Sequence, residues 1–123
     1  MKGLGIDLCG IARFERILEK GDGFLRRYFT AEEQAYIAGR GQTAAQSAAA
    51  MFAAKEAFLK ATGAGLGGGI PLTDVAVQHE PSGQPRYALG EKAMARMAAL
   101  GAETAWLSLS HEDGMAAAVC VIE

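Results

Sequence analysis

The sequence predicts an α+β fold in which an antiparallel sheet packs on a long buried helix. The helix is predicted from "MFAAKEAFLK", residues 51–60, where apolar side chains surround nearly the whole circumference. The sheet is predicted from two pairs of short strand patterns, joined by the turn sequences "PSG" and "EDG", which is typical of antiparallel hairpins. Half of the 123 residues are hydrophobic, which is enough for one core, so residues 1–123 are expected to form a single domain.

A strand opens the chain. In "KGLGIDL" the residues alternate, so that one face carries Leu4, Ile6 and Leu8 while the other carries Gly3, Gly5 and Asp7. The face with the two glycines has little side-chain bulk, which allows another element to approach closely.

Three helices are predicted to follow this strand. The first carries an apolar stripe at helical spacing, and the second starts at a capping box formed by Thr30 and Glu33 in "TAEE". The third is rich in alanine and ends at Gly63, a natural helix terminator. The predicted spans are about residues 11–21, 30–39 and 43–62.

The second half of the chain is predicted to hold two strands, a helix and two further strands. Each strand pair flanks a tight-turn sequence, and a glycine closes the helix. The predicted spans are residues 73–80, 84–89, 91–100, 104–111 and 115–122.

Composition excludes several classes of protein. The net charge is −2 and no run of lysine or arginine stands out, which disfavours a nucleic-acid partner. No apolar stretch approaches the roughly 20 residues that cross a bilayer, and the N-terminus lacks the apolar region of a signal peptide, so we expect a cytoplasmic protein that is not bound to a membrane. The two cysteines lack the spacing of a disulfide framework or a zinc site.

Glu56 stands out because it lies on the apolar side of the predicted third helix. Helical spacing puts Glu56 on one stripe with Phe52 and Leu59, between Lys55 and Lys60. A buried carboxylate without a partner is costly, so Glu56 needs a cation or several hydrogen-bond donors. One interpretation is an ordinary intrahelical pair with Lys60, since such pairs are common at this spacing.

The other interpretation joins Glu56 to Asp7, which lies on the glycine-bearing face of the first strand. Two carboxylates that converge from separate elements make a hard oxygen site suited to a magnesium ion. Because two ligands underfill this ion, water and a substrate phosphate would complete its coordination, and Lys60 would serve as a second clamp on the phosphate. The pattern therefore indicates phosphoryl chemistry.

Two other motifs allow more than one interpretation. Gly63, Gly65 and Gly68 in "GAGLGGG" match GxGxxG, but they follow a helix, so a helix stop with a flexible or ligand-lining loop is favoured over a dinucleotide fingerprint. Ser110 and His111 end a strand without the elbow that a catalytic serine needs, which favours a phosphate contact.

Basic residues recur along the first helix and just after it. Arg13 belongs to a stripe on the polar side, and Arg26 and Arg27 follow closely. The ordinary interpretation is a solvated helix face, and the alternative is a docking surface for an acidic partner.

Four segments, distributed along almost the whole chain, carry a resemblance to a known family: "GLGIDLCGIARFERI", "FTAEEQAYI", "FAAKEAFLKATGAG" and "WLSLSHEDGMAAAVCVIE". They resemble the N-terminal strand and helix, the second helix, the signature helix with its loop, and the C-terminal hairpin of the holo-acyl-carrier-protein synthases, the small phosphopantetheinyl transferases. An early GxD, FAAKEAxxKAxGxG and a late SxSH in so short a chain form a specific combination.

The resemblance implies a 4'-phosphopantetheinyl transferase-like fold and a magnesium-dependent enzyme. Such an enzyme transfers 4'-phosphopantetheine from coenzyme A to a serine of apo-acyl carrier protein and releases adenosine 3',5'-bisphosphate. Members of this length are typically homotrimers with sites between neighbouring subunits.

The resemblance also implies roles for individual residues. Asp7 and Glu56 match the metal ligands, and Lys60 would contact the pyrophosphate. Glu56, acting through a water at the metal, is the candidate base for the carrier serine. The residues implied along the coenzyme are Ser110, His111 and the backbone of Gly63 to Gly65, and those implied at the carrier protein are Arg13, Arg26 and Arg27.

One position departs from the family pattern. The family usually reads GRFAAKEA, whereas this chain has Met51 where the arginine would stand. That arginine helps to hold the 3'-phosphate of the coenzyme, so the resemblance predicts weaker coenzyme binding here, with Arg40 as a candidate replacement. A Met51→Arg variant with an unchanged Michaelis constant would count against this prediction.

Two other functions compete with the transferase. A trimeric module could bind coenzyme A or carrier protein without catalysis, but both metal carboxylates are present, which favours the enzyme. A nucleotide-dependent oxidoreductase would need a βαβ unit that the predicted order of elements does not offer.

Overall fold

The computed structural model describes residues 1–65 and 68–123, which form five α-helices, two short 3-10 helices and five strands. The strands are β1 (Gly3–Gly10), β2 (Val75–His79), β3 (Pro85–Leu89), β4 (Ala105–Glu112) and β5 (Met115–Ile122). The helices are α1 (Ile11–Glu19), α2 (Gly23–Tyr28), α3 (Ala31–Ala38), α4 (Ala44–Thr62) and α5 (Glu91–Ala99). Within these residues, no helix is long and apolar enough to cross a bilayer.

The strands form two antiparallel sheets. The larger sheet has the order β1-β5-β4 and the smaller one is the β2-β3 hairpin. Both hairpins are antiparallel as predicted, but they do not join into one sheet. The sequence prediction also lacked α2, a single short helix between α1 and α3.

Helix α4 packs along the inner face of the large sheet, and the two glycines of β1 make this contact possible. A side chain at Gly3 would collide with the carbonyl oxygen of Ala61, and one at Gly5 with that of Ala57. Asp7 follows on the same face of the strand, so the close packing brings it against the last turns of α4.

The outer face of the large sheet is apolar and exposed. Leu4, Ile6 and Leu8 on β1 are 59%, 62% and 62% exposed, and Trp106 on β4 is 58% exposed. The register places Ile6 beside Val119 of β5, which extends the surface across the sheet. We call this surface of β1, β5 and β4 the outer apolar face.

A buried ion pair ties the small sheet to the helices. Lys55 Nζ donates to Glu33 Oε1 at 2.8 Å and to the carbonyl oxygens of Leu72 and Val75 at 2.9 and 3.1 Å. Glu33 Oε2 accepts from the backbone N–H of Val77 at 2.9 Å. Because Lys55 and Glu33 are 0% and 1% exposed, these bonds satisfy charges that would otherwise be costly to bury.

Candidate active site

Four of the predicted site residues meet at one cavity. A cavity of about 260 Å³ is lined by Asp7 of β1, by Glu56, Leu59 and Lys60 of α4, and by Gly65. Asp7 and Glu56 are 49 positions apart in sequence, and the packing of α4 on the glycine-bearing face brings them together. The predicted convergence of the two carboxylates is therefore present in the fold.

The two oxygens of Asp7 have different surroundings. Oδ1 accepts a hydrogen bond from Lys60 Nζ at 2.7 Å, and the same ammonium donates to the carbonyl oxygen of Ile6 at 3.1 Å. Oδ2 is buried and has no hydrogen-bond partner among the described residues. A buried anionic oxygen of this kind is suited to a cation ligand.

Glu56 shows the electrostatic effect of this arrangement. Burial and the adjacent, negatively charged carboxylate of Asp7 raise the pKa of Glu56 from its ordinary value of 4.5 to about 7. The charges of Arg13 and Lys60 act in the opposite direction but are weaker. Two carboxyl groups that interact in this way favour sharing a proton or a cation.

Lys60 pairs across elements rather than within its helix. Its ammonium group contacts Asp7 and not Glu56, so the interpretation of Glu56 and Lys60 as an intrahelical pair is not what the fold contains. The Lys60 side chain is 57% exposed, and Asp7 raises its pKa by hydrogen bonding and by charge. An exposed ammonium beside the carboxylates is available to a phosphate ligand.

The donor set fits a magnesium ion that is completed from outside the chain. Asp7 and Glu56 supply hard carboxylate oxygens, and one of these oxygens, Oδ2 of Asp7, is buried without a partner among the described residues. No group of three His, Cys, Asp or Glu side chains with metal-binding geometry occurs in residues 1–65 and 68–123. A site with two protein ligands is typical of magnesium, because water and substrate phosphate oxygens usually fill its other coordination positions.

The glycine loop begins at the end of α4. Gly63 has φ 71°, the left-handed conformation that ends the helix as predicted, and Gly65 has φ 65° and contributes to the cavity wall. Of the GxGxxG match, Leu66 and Gly67 lie outside the described residues. The loop follows a helix and not a strand, which excludes the dinucleotide fingerprint.

Ser110 and His111 do not reach this cavity within one chain. The register aligns Ser110 with Ala117 and Leu8, so its side chain lies on the outer apolar face, opposite the face that carries Asp7. His111 is exposed near the end of β4, and the described wall of the cavity includes neither residue. Their role at the coenzyme stays a prediction, one that would require a second subunit.

The basic residues divide into two groups. Arg13 lies near the cavity, since its charge acts on Glu56, and its guanidinium stands 5.3 Å from the ring centre of Phe52. Arg26 and Arg27 lie on α2, where Arg26 is 4.0 Å from Asp22 and Arg27 stacks on Tyr28.

Position 51 lies in the core. Met51 is 1% exposed, so this chain has a packed apolar side chain where the family pattern has an arginine. Arg40, the candidate replacement, stands 5.3 Å from the ring centre of Tyr36 and is absent from the described cavity wall. A Met51→Arg variant would place a guanidinium in the core, so it tests stability as much as coenzyme binding.

Leu59 is the wall residue that the sequence analysis did not select as functional. It is 2% exposed and closes one side of the cavity. The signal was available, because Leu59 follows Glu56 by three residues on the same stripe, but a leucine at such a position is usually only a core residue.

Known proteins are similar to this chain in both sequence and fold. The sequence profile of the 4'-phosphopantetheinyl transferase superfamily matches residues 3–120. A holo-acyl-carrier-protein synthase of Syntrophus aciditrophicus is 45% identical over 122 residues, which cover 98% of this chain and 94% of the relative.

Two solved structures extend the comparison. The crystal structure of the holo-acyl-carrier-protein synthase from Neisseria meningitidis superposes with a TM-score of 0.89 at 31% identity, covering 100% of this chain and 98% of that chain. The Helicobacter pylori synthase in complex with coenzyme A gives a TM-score of 0.83 at 29% identity, covering 98% and 99%. The chain belongs to the 4'-phosphopantetheinyl transferase superfamily and, within it, to the holo-acyl-carrier-protein synthases.

Proposed function

We propose that this protein transfers 4'-phosphopantetheine from coenzyme A to a serine of apo-acyl carrier protein and releases adenosine 3',5'-bisphosphate. As a member of its family the protein is an enzyme, a phosphopantetheinyl transferase. The observation that carries the proposal is the meeting of Asp7, Glu56 and Lys60 at one cavity, in a chain that matches the superfamily over nearly its whole length.

Magnesium is the cofactor that we propose for this reaction. Asp7, through Oδ2, and Glu56 are the residues that would hold it. When bound, the ion supplies positive charge that stabilises the negative charge developing on the departing phosphate.

The chain's own residues supply binding, charge and proton acceptance. Lys60 presents an exposed ammonium beside the carboxylates, where it would bind the pyrophosphate and offset charge on the leaving group. Glu56 lies beside Lys60 in the cavity wall, where it would accept the serine proton through a water. Gly65 in the cavity wall lets backbone approach the coenzyme.

We propose further that the active enzyme is a homotrimer. The outer apolar face exposes Leu4, Ile6, Leu8 and Trp106, and large contiguous apolar surfaces of this kind mark protein interfaces. Ser110 lies on the same face. Association through this face would bring Ser110 and His111 of one subunit towards the carboxylate cavity of the next.

The basic residues near α1 and α2 are proposed to bind the carrier protein. Arg13 lies close enough to Glu56 for its charge to act on that carboxyl group, while Arg26 and Arg27 are exposed on α2. Positive groups beside the reaction site would guide an acidic partner so that its serine enters with the correct orientation.

Intact-mass spectrometry of apo-acyl carrier protein, incubated with the protein, coenzyme A and magnesium, tests the transferase. We expect a mass gain of one phosphopantetheine, abolished by EDTA and by Glu56→Gln. Exposed Glu19 on α1 provides the control Glu19→Gln, which should leave the transfer intact. Binding of coenzyme A or carrier protein without any mass change would instead support the non-catalytic module.

A further inference from the structure

The end of α4 is held by a residue from another helix. The backbone N–H of Gly63 bonds the carbonyl oxygen of Lys60 at 3.2 Å, and that of Ala64 bonds the carbonyl oxygen of Leu59 at 3.1 Å. The last helical carbonyl, that of Thr62, instead accepts two hydrogen bonds from the guanidinium of Arg96, at 3.0 Å from Nε and 2.6 Å from Nη2.

Both ends of this contact are fixed. Thr62 is 2% exposed, and its hydroxyl donates to the carbonyl oxygen of Phe58 at 3.0 Å. Arg96 lies in the last turn of α5, where Ala93 and Met97 are buried and Asp74 Oδ2 accepts from the backbone N–H of Ala93 at 2.8 Å. A charged double hydrogen bond between two anchored groups restricts motion of the backbone that it holds.

The backbone that follows Thr62 forms one side of the carboxylate cavity. We call residues 63–65 the glycine arm, since Gly63 makes the left-handed turn out of the helix and Gly65 contributes to the cavity wall. Arg96 Nη2 stands 3.5 Å from the place where a Cβ on Gly63 would lie, so the guanidinium packs directly against the start of this arm. Asp7, Glu56 and Lys60 are held by other contacts, namely the packing of β1 on α4 and the bond between Lys60 and Asp7.

We propose that Arg96 is a positioning residue that fixes the glycine arm against the cavity and thereby sets the affinity for coenzyme A. The inference rests on the proposed function, because it takes the cavity to be the coenzyme site. Since the carboxylates and Lys60 do not depend on Arg96, its loss is expected to weaken coenzyme binding while chemistry and carrier binding stay nearly unchanged.

Arg96→Gln, Arg96→Lys and the control Lys92→Gln test this proposal. Lys92 is exposed one turn earlier on the same helix, α5. The measurements are the dissociation constant of coenzyme A by calorimetry with magnesium present, the Michaelis constants of both substrates, and kcat. We expect Arg96→Gln to raise the coenzyme dissociation and Michaelis constants about tenfold, with kcat and the carrier Michaelis constant within about twofold of wild type. Arg96→Lys keeps one donor and should show a smaller rise.

The contrary outcomes are distinct. The proposal would be overturned if folded Arg96→Gln bound coenzyme A with an unchanged dissociation constant. It would also be overturned if kcat, coenzyme affinity and carrier affinity all fell together with the melting temperature, because that pattern indicates a general loss of stability. If Arg96→Gln fails to fold, the calorimetric result for Arg96→Lys decides in the same way. If the wild type transfers phosphopantetheine and the Arg96 variants bind coenzyme A as tightly as it does, only this inference is overturned. If the wild type does not bind coenzyme A, the proposed function is overturned as well.

Discussion

At the scale of single residues, the site is defined by how the oxygens of Asp7 and Glu56 are used. Lys60 neutralises one oxygen of Asp7, while the other is buried without a partner among the described residues and acts with burial to raise the pKa of Glu56. The metal-free site therefore holds an unfavourable interaction that a proton or a cation would relieve. The two carboxylates that repel each other are therefore also the groups suited to bind a divalent ion.

Replacing Glu56 by Gln should stabilise the metal-free protein at pH 8. The carboxylate is ionised at this pH and repelled by Asp7, and its neutral isostere is not, so we expect a gain of about 1 kcal/mol after allowance for the partial exposure of Glu56. Urea unfolding in EDTA measures this gain. Magnesium should raise the melting temperature of the wild type but not that of Glu56→Gln.

The stability gain expected for Glu56→Gln should increase with pH. Between about pH 4.5 and pH 7 the folded protein keeps a proton on Glu56 that the unfolded chain has lost, so the contribution of Glu56 to stability falls as pH rises through this window. The advantage of Glu56→Gln should therefore grow from pH 5 to pH 8. An advantage that is equal at both pH values would contradict the proximity of the two carboxylates.

The buried ion pair of Lys55 and Glu33 is a second place where one side chain is expected to have a large effect on stability. A Lys55→Met variant keeps much of the side-chain volume but leaves Glu33 charged and buried, so we expect a loss of about 3 kcal/mol in the free energy of unfolding. Denaturant unfolding measures the loss, with Lys92→Met as the exposed control. A loss no larger than that of the control would show that Glu33 does not depend on Lys55.

At the scale of elements, the site depends on the contact between β1 and α4. Gly3 and Gly5 remove side chains from the strand where the helix backbone passes, and Asp7 continues the same face towards Glu56. The contact explains why a polar carboxylate shares a face with two glycines: the missing side chains set the distance between the two elements.

Gly5→Ala tests this contact. The added methyl group would collide with the carbonyl oxygen of Ala57, so the strand or the helix must shift, and we expect a loss of about 3 kcal/mol in stability with weaker magnesium binding. Gly10→Ala, at the end of the same strand, has open space at the new methyl group and should cost no more than about 0.5 kcal/mol. Similar stabilities for the two variants would be incompatible with the close approach.

The ends of helices were predictable from the sequence, whereas the arrangement of strands in sheets was not. The capping box of Thr30 and Glu33 and the stop at Gly63 depend on neighbouring residues, and both are present where predicted. The division into two sheets and the orientation of β1 depend on contacts between distant segments. The alternation of Leu4 with Gly5 shows that the strand has two unlike faces, but it does not show that the apolar face is the exposed one.

The site shows the same division. The convergence of Asp7 and Glu56 was predictable. Asp7 lies on the glycine-bearing face of β1, where another element can approach closely, and Glu56 lies on the apolar side of α4, which must pack against such a face. The pairing of Lys60 with Asp7 was not, since spacing alone favoured the intrahelical partner. The contact between Arg96 and Thr62 joins residues 34 positions apart and leaves no periodic signal in the sequence.

At the scale of the whole molecule, one chain explains only part of the predicted coenzyme site. The carboxylate cavity lies on the inner side of the large sheet, whereas Ser110 lies on its outer apolar face. An exposed apolar sheet face is unfavourable in water, and association of subunits would both cover it and complete the site.

The proposed trimer predicts a solution mass three times the 12.8 kDa of one chain. A double variant, Leu4→Ser with Ile6→Ser, removes two exposed apolar side chains from the outer apolar face and should shift the protein to monomers with loss of transfer. Light scattering after size-exclusion chromatography measures the mass. Met94→Ser provides the control, because Met94 is 56% exposed on α5, away from this face. A wild-type mass equal to one chain, with full activity, would contradict the trimer.

Asp7 and Glu56, brought together by the packing of β1 on α4, are proposed to bind one divalent cation per chain. Calorimetric titration of magnesium at pH 8 into the wild type, Asp7→Asn and Glu56→Gln, each with coenzyme A present, measures this binding. We predict one ion per chain for the wild type and at least about tenfold weaker binding for each variant, with Glu19→Gln unaffected. Magnesium binding of equal affinity in all four proteins would contradict the claim.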